Sequence, residues 1–192
     1  MAYLMWGLLV FLGVHSVRLV AEDWRAQTRL RIGGLPWKGL FSVLSLAGFG
    51  LLVWGYGLAR EQPVALWTPL PALRHPAALL TLCSFVLLSA AYIPGNYIRA
   101  RLRHPMVLGV TAWALAHLMT NGTAAQVLLF GSFLVWAVLD YRAARRRDHA
   151  AGLSYVGGTA GATGITVAIG VGAWIAVALW LHGRLLGVLP FG

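Results

Sequence analysis

Two histidines sit inside stretches otherwise suited to lipid. His15 lies in FLGVHSV, at the end of an opening run of fourteen uncharged residues, and His117 lies in ALAHLM. An ionisable group within a membrane span is costly and usually faces the interior of a helix bundle. Neutral imidazole is a ready ligand for transition metals and for haem iron. At helical spacing His117 shares a face with Trp113 and Val110, and His15 shares one with Phe11 and Leu8. Flat or apolar neighbours suit a planar cofactor. His15 and His117 are therefore the candidate metal ligands, with Trp113 as a candidate cofactor contact. A six-coordinate iron needs its two imidazoles on facing helices. A histidine in a membrane helix also commonly bonds a carbonyl or hydroxyl nearby, and the residues alone leave both readings open.

Arg103 and His104, in RLRHPMVLG, form a second candidate. They read as an anion-facing pair at the membrane interface, suited to haem propionates, or as a helix-start cluster that snorkels to lipid phosphate. Thirteen residues separate His104 from His117. At about 100° per residue they fall on nearly opposite faces of one helix. His75 and His182 read as interfacial polar groups, and His149, in RRRDHAAG, as solvated. The single cysteine, Cys83, excludes a disulfide framework, a zinc pair and a C-x-x-C-H haem attachment site. No carboxylate falls in the central part of an apolar run. The usual equipment of a proton-coupled transporter or a paired-carboxylate hydrolase is therefore missing.

These residues need a membrane helix bundle to position them. The 192-residue chain is 59% hydrophobic and 10% charged, where a soluble domain carries about a quarter charged residues. The mean hydropathy is +0.75. Hydropathy predicts an all-α polytopic bundle of six transmembrane helices, roughly 2–20, 38–59, 76–95, 104–120, 123–140 and 164–182, forming one domain over 1–192. Thr120-Asn121-Gly122 marks a tight turn between the fourth and fifth segments. The stretch 61–74 reads as an irregular interfacial loop, and 151–163 as a glycine-rich approach to the last helix. The N-terminus lacks the basic region of a signal peptide, so the first segment is expected to remain in the mature protein.

The net charge of +10 would suggest nucleic acid on a soluble chain. Here membrane topology accounts for it, and nucleic acid is not an expected partner. Six helices put twelve basic residues on one side, from Arg18 to Lys38, Arg99 to Arg103 and Arg142 to Arg147, and only Arg60, Arg74 and Arg184 on the other. The positive-inside rule makes the rich side cytoplasmic and both termini non-cytoplasmic. With the first segment running inward and the fourth outward, both candidate imidazoles lean towards the membrane middle.

The motifs FLGVHS, WKGLFSVLSLAGF, VWGYG, AAYIPGN, RARLRHPMVLGVTAWALAHLMTNG, LFGSFLVWAVLD and WLHGRLLGVLPFG run through almost the whole chain. Together they resemble the NnrU family of bacterial membrane proteins. That resemblance implies the bacterial inner membrane and a context of nitrite and nitric oxide reductase expression. The same pattern is similar to the plant zeta-carotene isomerase family, membrane haem b enzymes that turn a cis double bond to trans. This implies haem b on the histidines of the H-S and A-H elements, here His15 and His117. It also implies isomerisation of an apolar polyene, or nitric-oxide-linked or redox chemistry. A cysteine that those isomerases carry three positions before the A-H histidine is Ala114 here, so a thiolate ligand is not expected. Locally, R-H-P-M-x-x-G resembles isoprenylcysteine carboxyl methyltransferases, which implies S-adenosylmethionine at Arg103, His104 and Pro105. The acidic pair and tyrosine-rich tail of those enzymes are missing, with only Asp140-Tyr141 near. A non-catalytic membrane assembly factor is the remaining alternative.

Overall fold

The computed structural model describes residues 1–154 and 157–190, and these form helices joined by short turns. Positions 155 and 156 of the glycine-rich stretch, and 191 and 192 of the closing motif, lie outside the described residues. In chain order the helices are α1 (Ala2–Val20), α2 (Glu22–Ile32), α3 (Gly34–Glu61), α4 (Arg74–Tyr92), α5 (Tyr97–Leu102), α6 (Pro105–Thr120), α7 (Ala124–Ala150), α8 (Ala160–Ala176) and α9 (His182–Leu186). A 3₁₀ turn, Pro71–Leu73, precedes α4, and a π-helical turn, Val177–Leu181, joins α8 to α9. Among the described residues the only β pairing is two isolated bridges.

Five helical stretches are long and apolar enough to cross a membrane: α1, α3, Pro71–Tyr92, α7 and Ala160–Leu186. The expected fourth span, α6, is apolar but has sixteen residues. At 1.5 Å per residue it covers about 24 Å, short of the roughly 30 Å hydrocarbon core. It begins where proline is well placed, with Pro105 in the first turn after His104.

The long helices alternate in direction, and their ends meet at two levels. At one end Ala65 bridges Thr123, and an Arg60 guanidinium Nη2 donates to the Leu186 carbonyl at 3.0 Å. At the other, basic end Asn96 bridges Thr159. Glycine decides the closest packing. A Cβ on Gly7, Gly48 or Gly55 would run into the facing backbone of α3 or α1, so α1 lies against α3 along its length. In lipid such small residues let helix backbones approach where apolarity alone gives no driving force. α6 packs between α4 and α7, and α8 packs on α4, where the Trp174 indole donates to Thr81 Oγ1 at 3.0 Å. The Ser84 hydroxyl donates from α4 to the Gly109 carbonyl of α6 at 2.7 Å. α7 stands between α1 and α6, and Trp113 and Leu118 of α6 pack on the core that α1, α3 and α7 share.

The expected hairpin between α6 and α7 is present and heavily bonded. Thr123 and Gln126 form a reciprocal capping box. Asn121 Nδ2 donates to the His117 carbonyl at 2.7 Å, and Gln126 Nε2 donates to Asn121 Oδ1 at 2.6 Å. The Gly122 carbonyl accepts from the backbone N–H groups of Leu66 and Trp67. A side chain at 122 would meet the Trp67 carbonyl, so only glycine closes this corner.

Candidate functional site

His15 lies five residues before the basic end of α1, and its Nδ1 is 2.7 Å from the Phe11 carbonyl oxygen. His117 lies near the opposite end of α6, with Nδ1 2.8 Å from the Trp113 carbonyl oxygen. A carbonyl can only accept, so each ring carries a proton on Nδ1, which in the neutral imidazole leaves the lone pair on Nε2. Each Nε2 has no protein partner among the described residues. The common expectation for a histidine in a membrane helix, a bond to a nearby carbonyl, therefore holds for one nitrogen of each ring. The other nitrogen is available to a metal.

Both rings are packed by aromatic side chains. His15 lies 4.3 Å from Phe11 and 5.1 Å from Phe41 between ring centroids, and its edge faces Trp136 at 6.1 Å. His117 stacks on Phe130 at 4.5 Å and lies 5.0 Å from Trp113. Phe133 connects the two groups, 5.8 Å from Phe11 and 5.6 Å from Trp113. Phe130, Phe133 and Trp136 thus form a ladder on one face of α7, three residues apart. The two histidines meet this ladder at different rungs. Six residues of α7 separate Phe130 from Trp136, an offset of roughly 9 Å along the helix. The candidate ligands share one aromatic wall, but no ring contact or hydrogen bond joins them.

Among the described residues two buried side-chain polar atoms have no hydrogen-bond partner: Trp136 Nε1, on the α7 ladder, and Ser45 Oγ, on α3. Ser45 follows Phe41 by one turn on the side of α3 that bears Gly48 and Leu52. Unsatisfied buried donors are rare and ask for an explanation such as an absent ligand. On the basic side of His15 a cavity of about 400 Å³ opens between α1, α2 and α3, bordered by Arg18, Arg25, Trp37, Lys38 and Phe41. Among the described residues no three His, Cys, Asp or Glu side chains come together as a metal site. An iron at either imidazole would need a macrocycle to complete its coordination, and the free Nε2 atoms, flat neighbours and unpaired donors fit one.

Arg103 and His104 occupy the α5–α6 junction at the basic end. Arg103 is the one non-glycine residue with a left-handed backbone among the described residues, at φ 66°. His104 Nε2 is bonded to Asp148 Oδ2 at 2.8 Å, and its ring faces the edge of Tyr141. Asp148 is buried. His104 therefore faces an anion that the chain itself supplies, the Asp148 carboxylate. The opposite-face reading of His104 and His117 also fails, because both contact α7. His104 is the N-cap, outside the regular helix, so the helical angle per residue does not reach it. Of the interfacial histidines, His75 is exposed, and His182 Nδ1 bonds the Val188 carbonyl at 2.7 Å. His149 is exposed, as expected for a solvated group.

The chain matches the family model described as NnrU protein over residues 3–190. It belongs to the NnrU protein family. No curated protein and no solved structure matches it. The family match spans both histidines, the aromatic ladder and the Arg103–His104 junction, so the whole wall lies inside the family's domain. The sequence reading did not single out Phe130, Phe133 and Trp136 as neighbours of the candidate ligands, although their spacing in FGSFLVW was a readable signal.

Proposed function

We propose that this NnrU-family member is a six-pass membrane protein that binds haem b through His15 and His117. The carrying observation is the common state of the two imidazoles: Nδ1 on a carbonyl, Nε2 free, aromatic rings alongside. A bond at Nδ1 fixes the tautomer and orients the ring, as a metal-binding imidazole would require. When bound, haem supplies an iron that exchanges electrons or takes a small ligand such as nitric oxide. The chain's own residues orient the imidazoles, exclude water and offer the Trp136 and Ser45 donors. Both histidines serving one iron requires the offset along α7 to close. The limited contact between α1 and α7, which leaves a lateral groove of about 870 Å³ between them, gives room for that movement. The same groove, apolar and open to lipid, supports an apolar polyene as the substrate of an isomerase.

The charge distribution supports six passes in a bacterial inner membrane, the basic end in the cytoplasm and both termini outside. S-adenosylmethionine at Arg103 and His104 has less support, because Asp148 already holds His104 Nε2. Absorption spectroscopy on purified protein tests the reading. Wild type is expected to show a Soret band that His15→Ala and His117→Ala each bleach or shift. Wild-type spectra in both variants would remove the ligand assignment. Protein that takes up no haem but binds labelled S-adenosylmethionine, with loss in His104→Ala, would favour the methyltransferase. Binding of neither would favour an assembly role.

A further inference from the structure

We infer that the α1–α2–α3 cavity beside His15 receives the two propionates of the haem, through Arg18, Arg25 and Lys38; this rests on the haem reading above. Arg18 follows His15 by three residues, so both lie on the same face of α1, with the guanidinium on the basic side. α2 crosses the mouth and contributes Arg25, and α3 contributes Lys38. His15, Trp37 and Phe41 form the apolar wall between the cations and the bundle interior. A flat molecule with acidic groups on one edge fits that polarity.

The local charge agrees. Glu22 accepts from Arg25 Nε and Nη2 at 3.1 and 3.2 Å and lies 3.6 Å from Arg18. Lys38 has no carboxylate partner among the described residues. Three cations against one carboxylate leave two positive charges, the number that two propionates neutralise. Glu22 competes for the same two guanidiniums, and a carboxylate arriving beside them can bond Arg in the favoured planar fork. Arg103, the other basic residue considered for this role, sits where α5 meets α6, and neither helix lines this cavity.

The test compares haemin with its dimethyl ester, which keeps the ring and iron but lacks the two charges. Both are titrated by Soret absorbance into the full-length protein in phosphatidylcholine nanodiscs. Wild type is expected to bind haemin about tenfold or more tightly than the ester, the size of one charge-assisted hydrogen bond. Arg18→Gln combined with Lys38→Gln should lose most of that preference while its ester affinity stays within about twofold. Should the double variant fail to fold, Glu22→Gln serves instead: it raises the local charge and is expected to tighten haemin and leave the ester unchanged. Equal binding of haemin and ester by wild type, or an undiminished preference in the double variant, would overturn the inference while the haem reading stands. Loss of the preference when phosphatidylglycerol replaces phosphatidylcholine would overturn it too, assigning the cavity to a lipid headgroup. If wild type binds neither compound, the haem reading itself fails.

Discussion

His117 stacks on Phe130, which is 6% exposed, and stands beside a turn in which Asn121, Gln126 and Thr123 satisfy one another. His15, with the same bond from Nδ1 to its own helix, borders a cavity of about 400 Å³ lined by three cations and packs against Trp136, whose Nε1 is unsatisfied among the described residues. The first environment is closely packed, and the His117 Nε2 is the atom of that ring it leaves unpaired among the described residues. The second leaves polar atoms and space that a packed protein would otherwise fill. The contrast is one of room: the His117 ring is enclosed by packed side chains, whereas the His15 ring borders open space and the cations of the basic end.

The largest expected effect lies on the filled side. Phe130 belongs to the core shared by α1, α3 and α7, with Leu4, Leu8, Leu52 and Leu129. Phe130→Ala should cost about 3–5 kcal/mol, the range for a deleted core ring. Phe41→Ala, beside His15 on a half-buried position, should cost less than half of that. Denaturant unfolding of both variants in the same detergent checks the difference. Equal losses would break the contrast, because the His15 side would then be as closely packed as the other.

A smaller effect is expected at the turn. Asn121→Ala removes the donor to the His117 carbonyl and strands the Gln126 amide that bonds Asn121 Oδ1. The loss should be about 1–3 kcal/mol, that of an unsatisfied polar group. Thermal unfolding of the ligand-free variant measures it. No loss would mean that water serves the turn as well as Asn121 does.

What the sequence made legible follows from what hydropathy measures. Lipid-facing length was readable: α1 matches its expected bounds, and α6 starts at the expected proline. Helix that leaves the lipid was not. α7 continues to Ala150 through RAARRRDHA, ten residues past its expected end, because a charged helix is stable in water and simply stops being apolar. α2 was read as part of a loop for the same reason, although Glu22 and Asp23 in its first turn and Arg29 and Arg31 in its last complement the helix dipole. His15 and His117 stood out because they interrupt apolar runs. Their offset along α7 did not, since depth depends on where each helix crosses a third one. The bond from His104 to Asp148 spans 44 residues, a separation at which helical periodicity within one segment carries no information.

The finest test removes a single donor from the open side. Trp136 Nε1 is buried, bonds nothing among the described residues, and sits at the edge of the His15 ring. Trp136→His would confound the test by adding a ligand, so Trp136→Phe is the informative change. It keeps an aromatic ring on the ladder and deletes the N–H. An unsatisfied buried donor costs the ligand-free fold free energy, so its removal offsets the lost ring volume and the unfolding midpoint should hold. The expected change lies within about 1.5 kcal/mol, that of a tolerated apolar replacement. Haem affinity should fall by about three- to tenfold if the indole donates to the bound molecule, in line with one neutral hydrogen bond. A variant that is destabilised by several kcal/mol, with ligand affinity unchanged, would mean that Trp136 is a packing residue, and the two sides of the wall would then differ only in how much room they leave.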